Sequence, residues 1–321
     1  MKEKTEPRLK SRRVLLCATT WCHPYLTFCP GRILAKRDDA ICIATKDGAL
    51  WVSQLRSLKS KIKPYPFKLP AIIQLGEISK NIRNIPEINN KQILTTPMTN
   101  NFQEINIELF GSYGILQFDF YNGAMSTSQC ERLLKAIKQC QKMPIKGLIL
   151  AGNSNNWSNG INLNVIQHAI NPSLEGWKNI KAINEVVKEI IKLTNIITVA
   201  AVQDAGAGDN ANPILAIEAI EIGLFDNIEQ QVQINLEQGF IDNVKEFMKA
   251  FISDNAKFMK FIKHKQDIRK QDESKKSLDE YEKDELEEMH KDLFENRNNF
   301  HEKRWAFVTK SSFTPLTLTK K

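Results

Sequence analysis

The residues best suited to chemistry lie in Gly147-Leu148-Ile149-Leu150-Ala151-Gly152-Asn153-Ser154-Asn155-Asn156-Trp157-Ser158-Asn159-Gly160-Ile161-Asn162-Leu163. An apolar run that ends in a small, polar, Gly-bearing loop and restarts at helical spacing reads as a buried strand feeding a helix N-terminus. Backbone N–H groups at such a turn are free to bind an anion, and their partial positive charge suits a developing oxyanion. Gly160 permits backbone angles or close approaches that a Cβ would block. A second unit of the same kind, apolar over 196–202, leads into Gln203-Asp204-Ala205-Gly206-Ala207-Gly208-Asp209-Asn210.

These loops need elements to hold them. Residues 105–109 and 114–120 alternate about Gly111 and Gly114, which predicts two strands joined by a tight turn. Residues 126–140 read as an amphipathic helix that Ser126 or Thr127 can cap, with Leu133, Leu134 and Ile137 on one face. Residues 163–170 continue as helix after the central loop, and 177–193 form the clearest helix in the chain. Ahead of all this, 33–35, 40–44 and 49–52 read as strands, with Asp47-Gly48 as a hairpin turn. Residues 72–101, rich in Asn, Ile and Pro, read as a linker. The last third is helical: 244–261 carries Phe247, Met248, Phe251, Ile252, Phe258 and Phe261 at helical spacing, and 264–295 reads as one long, densely charged helix.

Other chemistry-bearing residues read more simply as structure. His168 beside the apolar stripe has no carboxylate or thiol fixed near it by spacing, and is read as a packed or surface histidine. Cys17, Cys22, His23 and Cys29 lack knuckle spacing and read as ordinary residues, so no metal site is expected. Glu218 and Glu221 sit three apart, as on a solvated helix face. His301 and Arg304 are within reach of an anionic ligand only if the fold brings one to them.

With 321 residues, 42% of them apolar, the chain can bury a real core. The net charge of +8 is concentrated at the front, where residues 1–70 hold 15 basic and 5 acidic side chains. A solvated basic face is the commoner meaning of such a bias, and nucleic-acid binding is not expected. No run approaches the roughly 20 apolar residues that span a bilayer, so no membrane partner is expected, and a cytoplasmic location is. Six cysteines are too few for a disulfide scaffold.

The string Asp119-Phe120-Tyr121-Asn122-Gly123-Ala124-Met125-Ser126-Thr127, taken with Trp157-Ser158-Asn159-Gly160-Ile161, resembles the crotonase-like (enoyl-CoA hydratase/isomerase) domain of the HypX/HoxX hydrogenase maturation factors. Asp47-Gly48-Ala49-Leu50-Trp51-Val52 and Lys68-Leu69-Pro70-Ala71 resemble the small C-terminal β-domain of that family's formyltransferase part. The resemblance implies an α/β fold with an incomplete crotonase-like ββα spiral core over 102–242. A small β-rich domain occupies 1–71, a linker 72–101 and a helical region 243–321.

It also implies a site for a coenzyme A thioester, formyl-CoA-like, with the N–H groups of Ile161 and Asp209 as oxyanion donors and Gly160 and Gly208 against the substrate. The Asp209 position is normally glycine, and its carboxylate would oppose an enolate unless it turned away. The family's Tyr- and Glu-bearing active-site strings are absent between 219 and 226, where on the order of fifty residues of the family pattern are missing. The family's formyl-tetrahydrofolate-binding domain would lie ahead of the hairpin, and the residues before Arg32 leave no room for it. Formyl transfer and tetrahydrofolate binding by this chain alone are therefore not expected. The expected function is a HypX/HoxX-like maturation protein handling an acyl-CoA-type molecule with weak or no activity. The alternative is a non-catalytic interaction protein, or damaged remnant, meeting a protein partner or a second copy through its C-terminal helices.

Overall fold

β-Branched and aromatic residues build two four-stranded sheets and one short two-stranded pair among the described residues. The computed structural model describes residues 21–22, 29–59, 65–76, 85–87, 102–153, 155–202 and 239–311. Near the N-terminus, β1 (Trp21–Cys22), β2 (Ile33–Arg37), β3 (Ala40–Ala44) and β4 (Ala49–Val52) form an antiparallel sheet ordered β1-β4-β3-β2. The Asp47-Gly48 turn joins β3 to β4 as expected, with Ala44 opposite Ala49. The β2–β3 turn is less usual, because Asp38 and Asp39 both hold positive φ, 47° and 65°. Opposite faces of this sheet bury different sets: Ala35, Cys42 and Trp51 on one, Ile41 and Val52 on the other, where Leu55 of the next strand joins them. The second set packs against α1 (Ala71–Gly76), which follows the short pair β5 (Gln54–Arg56) and β6 (Lys68–Pro70). This helix lies inside the stretch read as linker. Its Ile72 and Leu75 pack on the sheet, a tertiary contact that a six-residue segment cannot announce by periodicity.

The second sheet is ordered β10-β9-β8-β7, from β7 (Ile105–Phe110), β8 (Tyr113–Phe118), β9 (Gly147–Ala151) and β10 (Ile197–Ala201). β7 and β8 form the expected hairpin, while β8, β9 and β10 run parallel. All of β9 is buried, as a strand covered on both faces must be. Leu148 and Leu150 face the layer of α2 (Thr127–Gln141) and α4 (Pro172–Lys192). Ile149 and Ala151 face α5 (Phe240–Ser253) and α6 (Asn255–Lys275). α2 opens with a reciprocal capping box between Ser126 and Gln129. α3 (Leu163–His168) is shorter than its pattern suggested, and α4 starts earlier, because Asn171 caps it and Pro172 occupies its first turn.

Two expected helices are each divided. The 244–261 pattern crosses a break at Asp254, whose extended backbone (φ −84°, ψ 103°) ends α5 and whose Oδ1 accepts from the N–H groups of Ala256 and Lys257 to start α6. The 264–295 stretch divides at Ser277, which forms a capping box with Glu280 at the head of α7 (Leu278–Phe294). In both cases a short polar side chain offers the backbone a local alternative to helix, which apolar spacing does not register. α8 (Phe300–Thr309) closes the described chain.

The two sheet units are joined by a polar cluster. Arg132 on α2 donates to Glu104 at 2.7 Å and to Asp39 at 3.3 Å, and Asp38 lies 3.7 Å away. Ser128 donates to Asp39 at 2.9 Å, and Gln129 donates to Glu104 at 3.0 Å. Glu104 is buried, and burial pushes its carboxyl up to about 8 despite the Arg132 guanidinium.

Candidate functional site

The central loop is held by its own asparagines. Asn153 Oδ1 accepts from the N–H groups of Asn155 (2.9 Å) and Asn156 (2.8 Å), and Asn153 Nδ2 donates to Asp119 at 3.0 Å. Asn159 donates its backbone N–H to Gly123 O at 2.8 Å and its Nδ2 to Asn122 O at 2.6 Å. Trp157 donates its indole N–H to Leu150 O at 3.0 Å and packs edge-on against Phe118. The polar strings at 118–127 and 153–160 are thus one knitted structure, each satisfying the other's backbone. Gly152 is needed because a Cβ there would stand 2.5 Å from Asn156 O and 2.6 Å from the Trp157 Cα.

The bend at Gly160 and Ile161 leaves one backbone amide outside the local hydrogen bonding. Gly160 holds φ +73° in open space, so its requirement is conformational and not steric. Ile161 forms a parallel bridge with Met125: Met125 donates to Gly160 O at 2.8 Å, and Asn162 donates to Met125 O at 3.0 Å. In that pattern both neighbours of Ile161 are engaged, while its own N–H meets no acceptor among the described residues. Asn162 then caps α3 through Val165 N at 3.1 Å, and its N–H also reaches the buried Asn179 Oδ1 at 3.1 Å. The amide is therefore fixed in direction from both sides.

Two expected participants, Gly208 and Asp209, lie outside the described residues, as do Glu218, Glu221, Cys17 and His23. Among the described residues no group of His, Cys, Asp and Glu is placed to hold a metal ion. Cys130 and Cys140 are buried, which pushes both thiols up to about 12 and removes them as nucleophiles. His301 Nε2 lies 2.8 Å from Leu293 O, a contact that orients the ring within its own helix pair. Arg304 is buried, donates to Gln167 Oε1 at 2.9 Å, and has an Nη1 with no partner.

One arrangement was missed by sequence reasoning. Lys68 of β6 donates its ammonium to the hydroxyl of Tyr121, and the same ammonium stands 4.6 Å from the centre of the Tyr121 ring. The backbone carbonyl of Lys68 meanwhile accepts from Asn164 Nδ2 at 2.9 Å, in the first turn of α3. Both residues fall within the strings that carried the family resemblance. Nothing in sequence connects positions 53 apart, so the pairing becomes visible only in the fold.

No family model matches the chain. Over 200 residues, 62% of its length, the chain is 32% identical to the hydrogenase maturation factor HoxX of Bradyrhizobium diazoefficiens, and that region is 32% of HoxX. Its structure is similar to that of HypX from Aquifex aeolicus in complex with tetrahydrofolic acid, with a TM-score of 0.77 and 29% identity over 92% of this chain and 60% of that one. A multiply substituted variant of the same HypX gives a TM-score of 0.77 and 29% identity over 90% of this chain and 61% of that one. The chain therefore spans about a third of HoxX and about three fifths of HypX. No described helix is long and apolar enough to cross a membrane. Over most of its length the chain is thus similar in sequence to HoxX and in fold to HypX, two hydrogenase maturation proteins of which it spans a part.

Proposed function

We propose that this chain serves hydrogenase maturation through a crotonase-like core that holds a coenzyme A thioester, formyl-CoA-like, by its carbonyl oxygen. The observation that carries the reading is the Ile161 N–H, held in direction by the Met125 bridge and by the cap of α3, and without an acceptor among the described residues. A donor fixed before substrate arrives needs no reorganisation when charge develops on the oxygen, which is where such sites gain most of their effect. The second donor in this reading is the N–H of Asp209, with Gly208 and Gly160 allowing the thioester to approach the backbone. Tetrahydrofolate, bound by the similar HypX, has no part in it.

Titration calorimetry of the full chain with CoA and with acetyl-CoA tests this directly. Binding of the ester is expected, and substitution of Gly160 by alanine should weaken it by misdirecting the Ile161 amide. Neither compound binding at millimolar concentration would end the proposal.

A further inference from the structure

The small β-rich unit meets the core at a set of charges that does not balance. Asp38 and Asp39 from the β2–β3 turn and Glu104 from the segment before β7 face Arg37 of β2 and Arg132 of α2, and these charges act most strongly on one another. Three carboxylates against two guanidiniums leave one negative charge in excess. α1 also touches the turn, through the Ile72 N–H on Asp39 O at 3.1 Å, and brings no charge of its own.

Glu104 is 5% exposed, whereas the Asp38 and Asp39 side chains are 25% and 28% exposed. The excess charge is costliest where water is scarcest, so Glu104 is the carboxylate that takes up a proton. Arg132 is shared. It donates to Glu104 on the core side and to Asp39 on the other, where Ser128 adds its own bond at 2.9 Å. Asp38 lies 3.7 Å from Arg132 Nε and 3.9 Å from Arg37 Nε, in ion-pair range of both and too far for a hydrogen bond to either. Among the described residues Arg132 Nε and Arg37 Nη1 have no hydrogen-bond partner, so each guanidinium keeps a donor for a carboxylate that moves. The turn is an expensive one. Two consecutive aspartates hold the positive φ that suits Asn-Gly, a pair that would offer Arg132 no carboxylate.

We propose that Glu104, Arg132 and the Asp38–Asp39 turn form a proton-controlled latch between the small β-rich unit and the core. With the proton on Glu104, Arg132 gives its charge to the turn and the latch holds. When the proton leaves, Glu104 competes for Arg132 and repels Asp38 and Asp39, and the turn loosens from α2. The latch goes beyond the acyl-CoA reading and does not depend on it.

Amide hydrogen exchange of the full chain at about pH 6 and about pH 8.5, with intrinsic rates divided out, tests the latch on either side of the Glu104 titration. The Ile72 N–H is the reporter: in the first turn of α1 it has no helical acceptor, and its protection rests on Asp39 O. Its protection should fall about tenfold or more between the two conditions, while the amides of β9 keep theirs. Glu104→Gln, neutral at both, should abolish the fall, and Asp39→Asn, at a more accessible position, should reduce it. Equal wild-type protection at both conditions overturns the latch, as does β9 losing protection in step with Ile72, which is global destabilisation. So does a Glu104→Gln protein with the wild-type fall, or, where that variant does not fold, an Asp39→Asn protein that keeps it in full.

Discussion

Substituting Gly152 by alanine tests whether the central loop depends on backbone contact in the way its geometry implies. The new Cβ would stand 2.5 Å from Asn156 O and 2.6 Å from the Trp157 Cα, where real Cβ contacts fall below 3.0 Å essentially never. Both obstacles are backbone, so the loop must withdraw by about half an ångström, and it is tied by the Asn153 hydrogen bonds and by the Trp157 indole on Leu150 O. Overpacking of this kind costs roughly 1–3 kcal/mol, and loosening one or two buried hydrogen bonds adds about 1 kcal/mol. Gly152→Ala should therefore lose about 3 kcal/mol, lowering the melting temperature by roughly 6–12 °C. Near-ultraviolet dichroism should change as Trp157 shifts against Phe118.

Gly147→Ala supplies the internal comparison. Its Cβ would meet Met248 Sδ at 2.3 Å, a worse distance but against a side chain with three rotatable bonds, so the cost should be smaller, about 1–2 kcal/mol. The reasoning is refuted by a Gly152→Ala protein that melts with the wild type, or by the two variants in the reverse order.

Glu104 should make stability depend on pH. Its folded pKa of about 8 stands above the unfolded value of 4.5, so its contribution is fully present below about 4.5 and is lost as pH rises through about 8. Melting temperature measured across this window should fall with rising pH, and Glu104→Gln should flatten that part of the curve; equal slopes would count against the assignment. Lys265 is expected to act as a cap. Its ammonium donates to Leu193 O at 2.7 Å, Ile196 O at 2.9 Å and Thr198 Oγ1 at 3.2 Å, joining the end of α4 to the start of β10. Lys265→Met leaves these oxygens short of a donor and should cost about 2 kcal/mol, read as a melting temperature lower by roughly 4–8 °C. A variant as stable as the wild type would show the carbonyls to be satisfied by water instead.

Elements were legible in the sequence where one signal dominated. The Asp47-Gly48 hairpin, the Ser126 cap and the unbroken apolar run of β9 each rest on local chemistry, and each is found where expected. The breaks at Asp254 and Ser277 were not read, because they lie in stretches whose charge or aromatic spacing continues across them. The turn at Gly160, with its positive φ of 73°, was legible for the same local reason. Its asparagines were read as loop polarity, whereas Asn153 and Asn159 spend their hydrogen bonds on holding backbone. The Lys68–Tyr121 pair and the Arg132 cluster depend on residues 53 and 93 positions apart meeting in space, and no periodicity encodes such a meeting.

The knitted loops also set how this protein would age. An Asn-Gly pair is prone to cyclise, because the glycine leaves the following amide unhindered for attack on the asparagine side chain. The chain has two such pairs at the bend. Asn159 is tethered through Nδ2 to Asn122 O and Asn156 Oδ1, whereas Asn122 is exposed and sits at φ 55°. Damage should therefore begin at Asn122. The isoaspartyl product lengthens the main chain by a methylene and adds a negative charge to the turn that carries Tyr121. Stored protein would then loosen at this turn, and at the Asn159 hydrogen bonds it receives, well before it lost its fold.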